Sequence, residues 1–127
     1  MQATKVLLVD DNPDILDGLS ELLTPEFIVV GRLNHGSDVL RQAAVLVPDV
    51  IILDVSLEDM NGFEVASELK AGRCPAVVIF LSCHEIPSFA RRAFKLGAKG
   101  YVYKSQMTEL AEAIHVAREG GVYSSVK

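Results

Sequence analysis

The chain has 127 residues, half of them hydrophobic and 23% charged, with a net charge of -5. That length supports one core and not two, and the balance of apolar to charged residues excludes a disordered chain. No run of Lys or Arg gathers on any segment, which argues against direct binding to nucleic acid. No apolar stretch nears the roughly 18 residues of a membrane span, and the first residues lack the basic and apolar regions of a secretion signal. The expectation is a cytoplasmic globular domain without membrane contact.

In chain order, short apolar runs alternate with stretches of helical period. The runs "KVLLVD" (5–10), "FIVVGRL" (27–33), "DVIILDV" (49–55), "AVVIFLS" (76–82) and "GYVYK" (100–104) are rich in Val and Ile. They lack the alternation of half-exposed strands, so they predict strands covered on both faces. After the first run, Asn12 and Pro13 cap and open a helix whose apolar face is Ile15, Leu16, Leu19, Leu22 and Leu23. Further helices are predicted over 37–47 on Leu40, Ala43, Ala44 and Val47, and over 62–71 on Phe63, Ala66 and Leu69. Phe89, Ala93 and Phe94 mark a helix over 87–96. A last helix carries Leu110, Ala113, Ile114 and Ala117, leaves His115 off its apolar face, and ends at Gly120 and Gly121. Five repeats of strand then helix predict an α/β domain, a doubly wound five-stranded parallel sheet with helices on both faces. The domain is expected to occupy 1–121, with 122–127 the start of a linker or a C-terminal tail. Cys74 and Cys83 bracket the fourth strand. Extended chain at about 3.3 Å per residue holds them too far apart for a disulfide, so both are read as free thiols.

Ligands in open α/β sheets bind beyond the carboxyl ends of the strands. There the sequence places Asp10 and Asp11 after the first strand, Asp54 at the end of the third, Ser82 at the end of the fourth and Lys104 at the end of the fifth. Each has a bland reading taken alone: a carboxylate favouring a helix N-terminus, a cap, a solvated lysine. Five such coincidences at one edge are hard to accept together, and the set reads as a site. Two adjacent carboxylates held about 4 Å apart repel by about 4 kcal/mol at an effective dielectric near 20, and a cation relieves that. Hard oxygen ligands suit Mg²⁺ (or Mn²⁺), which prefers a few carboxylates together with phosphate oxygens. Lys104 adds a positive charge for phosphoryl oxygens, Ser82 a hydroxyl donor, and Asp54 a carboxylate able to form an acyl phosphate.

Nearly the whole chain resembles a receiver domain of the two-component response regulators, through "LLVDDNPDI", "PDVIILDVSLEDMNG", "VIFLSCHE" and "LGAKGYVYKS" in the family's order and spacing. The resemblance implies a flavodoxin-like strand order, 2-1-3-4-5. It implies a regulatory phosphoacceptor rather than an enzyme, acting in His-Asp signal transduction. Asp54 would accept phosphate from a sensor histidine kinase. Asp11 would bind the metal directly, Asp10 would assist, and Asp54 and the backbone carbonyl of Ser56 would complete the metal site. Ser82 and Lys104 would bind the phosphoryl group, and Tyr101 would be the aromatic switch that turns inward on activation. Ser56, Glu58, Cys83 and His84 would tune the site, with His84 lying over it and affecting access of water. Glu58 stands where many receivers have Pro, so the turn after the third strand is expected to be less rigid. Ser105 follows Lys104 where Pro is common, which argues against a cis bond there.

The "KS" ending and "AIHVAREGGVYSS" look like the subgroup whose receivers precede a LuxR-type helix-turn-helix domain. The implied output is transcription through a DNA-binding domain absent from this chain, with a homodimer forming on phosphorylation. The alternatives are a stand-alone single-domain regulator or a haloacid dehalogenase-like phosphatase. The latter wants Asp-x-Asp on its first strand, and Asn12 stands in the second acidic place. A flavodoxin-like FMN binder is opposed by the acidic first loop, which would repel the flavin phosphate.

Overall fold

The computed structural model describes residues 3–126. In chain order it contains β1 (Lys5–Val9), α1 (Pro13–Leu23), β2 (Ile28–Leu33), α2 (Val39–Leu46), β3 (Val50–Asp54) and α3 (Gly62–Ala71). It continues with β4 (Val77–Ser82), α4 (Pro87–Lys95), β5 (Gly100–Tyr103), α5 (Leu110–Arg118) and β6 (Tyr123–Ser124). A single 3-10 turn, Gly36–Asp38, leads into α2, and a 3-10 segment kinked at Gln106, Lys104–Glu109, leads into α5. All strand pairings in the sheet are parallel, in the order 2-1-3-4-5-6. No helix among these residues is long and apolar enough to cross a membrane.

The unbroken apolar runs follow from a sheet buried on both faces. Leu7 and Val9, Ile51 and Leu53, Phe80 and Tyr101 point to the side covered by α2, α3 and α4. Their neighbours Val6 and Leu8, Val50 and Ile52, Ile79 and Leu81, and Val102 point to the side covered by α1 and α5. Alternate residues therefore fill two separate cores, and neither face leaves room for a polar residue. At about 25 cal/mol per Å² of apolar surface removed from water, these two layers are the main source of stability. The start of α1 is as the sequence predicts. Asn12 accepts the N–H of Asp14 and caps α1, with Pro13 in its first turn. Asn61 and Glu64 form a reciprocal capping box on α3.

Two expectations need correction. The sheet has six strands among the described residues, not five. Tyr123 pairs with Gly100 and Ser124 with Tyr101 in the segment expected to lie beyond the domain. The Ser125 N–H donates to the Tyr101 carbonyl at 2.9 Å, and the Ser125 hydroxyl donates to Glu109 at 2.8 Å. Two residues leave no apolar run to read, and the serines suggested a linker. Their stabilisation comes from satisfying the free edge of β5, which only the assembled sheet presents. Second, β2 is not covered on both faces. It is the other edge of the sheet, and Ile28 is exposed.

Candidate functional site at the carboxyl edge of the sheet

β1, β3, β4 and β5 end together, and the residues just beyond them converge. Asp10 and Asp54 are almost fully buried, at 1% and 3% exposure, although both are carboxylates. Burial of this kind requires partners. Asp54 Oδ1 accepts the Ser56 N–H at 3.1 Å, and Asp54 Oδ2 accepts from Lys104 Nζ at 3.0 Å. Asp10 Oδ1 accepts the Asn12 N–H at 2.9 Å. Its Oδ2 lies 2.9 Å from the same Lys104 ammonium but has no hydrogen bond of good angle. One partly exposed cation thus serves two buried carboxylates and leaves one oxygen with its charge balanced and its lone pairs unused.

Asp11 completes the group: one oxygen each from Asp10, Asp11 and Asp54 lies within 4.8 Å of the others. Three hard oxygen donors and an orphaned buried carboxylate oxygen fit a small divalent cation. Burial holds the Asp54 carboxyl above its ordinary range, the Ser56 N–H pulls it back, and the charge of Asp10 pushes it up again. For Lys104, burial acts to release its proton, but Asp10 and Asp54 outweigh that and hold the ammonium above its usual range.

Ser82 is fully buried, and its Oγ accepts the His84 N–H at 2.9 Å, which leaves the hydroxyl proton free to donate. Tyr101 is also fully buried, and its hydroxyl donates to the His84 carbonyl at 2.7 Å. Burial raises the Tyr101 phenol above its ordinary range. The His84 ring lies 2.9 Å from the Ser56 hydroxyl through Nε2 and packs on Phe89 with ring centres 5.0 Å apart. His84 therefore joins the loop after β3 to the end of β4 and to the β5 tyrosine. Cys83 is exposed, and both cysteines are free. Glu58 is exposed and is not part of the carboxylate group. Beside the site, Val55, Ser56, Leu57, Asn61, Phe63, His84, Phe89 and Arg92 line an open cleft of about 360 Å³.

Gly62 was not singled out from the sequence. A Cβ there would lie 2.2 Å from the Asp54 carbonyl oxygen and 3.0 Å from Val55 Cα. Its N–H donates to the Val55 carbonyl at 2.6 Å. Only glycine lets α3 start against the backbone of the buried carboxylate, and the "NG" pair before a helical pattern was the available signal. Asp59 was also missed, because its partners lie in a distant loop.

The geometry has close counterparts. A family profile described as the response regulator receiver domain matches residues 6–115. The transcriptional regulatory protein DegU of Brevibacillus brevis is 30% identical over 94% of this chain and 52% of its own length. The nitrate/nitrite response regulator protein NarL of Escherichia coli K12 is 32% identical over 91% of this chain and 55% of its own. The chain thus spans about half the length of the curated relatives it matches. Among solved structures, a LuxR-family two-component response regulator from Aurantimonas sp. SI85-9A1 superposes with a TM-score of 0.90 at 28% identity, covering 96% of this chain and 89% of that one. The NarL receiver domain of Mycobacterium tuberculosis gives 0.86 at 28% identity, covering 94% and 99%. The chain belongs to the response regulator receiver family, whose members are regulatory domains of two-component systems rather than enzymes.

Proposed function

We propose that Asp54 is the phosphoacceptor, that Asp10, Asp11, Asp54 and the Ser56 carbonyl hold Mg²⁺ or Mn²⁺, and that the modified domain controls transcription. The observation that carries this reading is Lys104, whose one ammonium contacts two buried carboxylates while one of their oxygens keeps unused lone pairs. A metal bound there supplies positive charge that offsets the carboxylates and the incoming phosphoryl oxygens. An Asp54 carboxylate oxygen attacks the phosphorus of a phosphohistidine, the P–N bond breaks, and its electron pair leaves with the imidazole nitrogen of the kinase.

Lys104 is positioned to exchange its contact with Asp54 for the phosphoryl oxygens, and the Ser82 hydroxyl donates a further hydrogen bond. Ser82 and Tyr101 both bond the backbone of His84, so a shift of Ser82 toward a phosphoryl group is felt at the tyrosine. In this structure Tyr101 is already inward. Phosphorylation therefore acts by holding an arrangement that the unmodified domain visits. The His84 ring on Ser56 would limit the approach of water to the acyl phosphate.

The sensor histidine kinase as phosphodonor, dimerisation on phosphorylation, a cytoplasmic location and DNA binding through a LuxR-type domain beyond this chain belong to the same proposal. Its support is the likeness to DegU and NarL. The test is intact mass after incubation with phosphoramidate or acetyl phosphate, with Mg²⁺ or with a chelator. A single Mg²⁺-dependent phosphoryl adduct on the natural sequence, missing from Asp54→Asn, is expected. An adduct that persists in Asp54→Asn, or none at all, overturns the assignment.

A further inference from the structure

The loop between the phosphoacceptor strand and α3 must hold the Ser56 backbone still if its carbonyl is to meet a metal. Glu58 in this loop has an exposed side chain. At its base the loop is closed by the Ser56 N–H on Asp54 Oδ1, by an isolated antiparallel bridge between Ser56 and Asn61, and by the Gly62 N–H on the Val55 carbonyl. Its tip projects away from these contacts.

Leu57 and Met60 pack the loop against the core, and the Asp59 side chain adds polar bonds to a second loop. The backbone N–H of Gly36 donates to Asp59 Oδ1 at 2.9 Å and that of Ser37 donates to Asp59 Oδ2 at 3.0 Å. Both amides open the 3-10 turn that runs into α2, where unpaired N–H groups and the helix dipole favour a carboxylate. Met60 packs beside it: a Cβ on Gly36 would sit 2.5 Å from Met60 Cγ and 2.8 Å from Val65 Cγ2. The Ser37 and Gly36 amides hold the Asp59 carboxyl down to about 2, so the charge is present at any working pH.

We infer that Asp59 is a positioning residue for the metal site, a tether that clamps the loop of Ser56 to the loop before α2. The inference rests on the phosphoacceptor reading, because Asp59 acts only through the Ser56 carbonyl. It separates two properties. Loosening the loop weakens capture of the metal, while Asp54 and Ser82 close strands, Lys104 directly follows β5, and all three keep their places once the metal is bound.

The test uses the protein and its Asp59→Ala and Asp59→Asn variants. Mg²⁺ affinity is measured by calorimetry, amide exchange of residues 56–61 by mass spectrometry without metal, and phosphoramidate reactivity across a Mg²⁺ titration. Asp59→Ala should raise the Mg²⁺ dissociation constant by about 10-fold, the low end of the about 10- to 100-fold loss seen when a partner bonded to a metal ligand is removed, because Asp59 reaches Ser56 only through the loop backbone. Exchange in 56–61 should quicken. The rate at saturating Mg²⁺ should stay within about two-fold of the natural protein, since the ligands on the strands are untouched. Asp59→Asn, which keeps one acceptor oxygen and is the milder change, should fall between. An unchanged Mg²⁺ constant in Asp59→Ala overturns the inference, and so does a rate loss that saturating Mg²⁺ fails to recover, which would mark a general structural role. Absence of Mg²⁺ binding by the natural protein is a different failure and overturns the metal-site reading itself.

Discussion

Replacing Lys104 by Met keeps the aliphatic stem and removes the ammonium that Asp10 and Asp54 share. The two contacts, at 2.9 and 3.0 Å, join groups whose side chains are 20%, 1% and 3% exposed. Taking one partner from a buried pair costs about 3 to 5 kcal/mol, because the charges left behind can be neither solvated nor balanced. The partial exposure of Lys104 favours the low end, so we expect about 3 kcal/mol at pH 7 without metal, or about 10 °C in melting temperature for a domain of this size.

The loss should depend on pH in a set direction. The folded pKa of Asp54 already lies above its unfolded value of 3.8, and without Lys104 it rises further. A group with a raised folded pKa costs nothing in its protonated form and destabilises as pH rises through that pKa. The deficit of Lys104→Met should therefore shrink as the pH is lowered from 7 toward 4. Mg²⁺ should also stabilise the variant more than the natural protein, because the variant site carries one more net negative charge. The assay is urea unfolding followed by far-ultraviolet circular dichroism at several pH values, with Mg²⁺ or a chelator. Equal stability of the two proteins at pH 7 without metal would refute the reasoning, as would a deficit that neither acid nor Mg²⁺ reduces.

Gly62→Ala places a methyl group 2.2 Å from the Asp54 carbonyl oxygen, and overpacking of this kind costs about 1 to 3 kcal/mol. α3 must move away, so urea unfolding should show that loss together with slower phosphorylation; an Ala variant with full stability would mean the backbone approach is loose. Val47 ends α2 in the left-handed region, at φ 48 and ψ 57, with its side chain exposed. A branched residue there costs about 1 to 2 kcal/mol, so Val47→Gly should stabilise the domain by about 1 kcal/mol in the same assay, and a loss of stability would count against strain at that position.

Much of the site was legible because its residues lie at the strand ends. A parallel sheet brings the carboxyl ends of neighbouring strands to one edge, so Asp10, Asp54, Ser82 and Lys104 could be gathered by reading the polar residue that closes each apolar run. Their side-chain contacts could not be read. That Lys104 touches both Asp10 and Asp54, and that Asp10 keeps an unused oxygen, depends on distances between strands. Glu58 and Cys83 are near the site in sequence, but their side chains face solvent.

The sequence by itself determined the alternation of strand and helix, the start of α1 at Asn12, and the edge at which polar residues collect. These arise from local periodicity and capping, interactions that span only a few residues. Tertiary structure alone decided the rest. The two-residue β6 exists because β5 has a free edge, the exposure of β2 comes from its place at the sheet's end, and Asp59 matters because the loop before α2 comes to meet it. Gly62 needs to be glycine only because α3 starts against the backbone of Asp54. Each depends on groups outside its own element, whose meeting is a property of the packed sheet and not of any segment's composition.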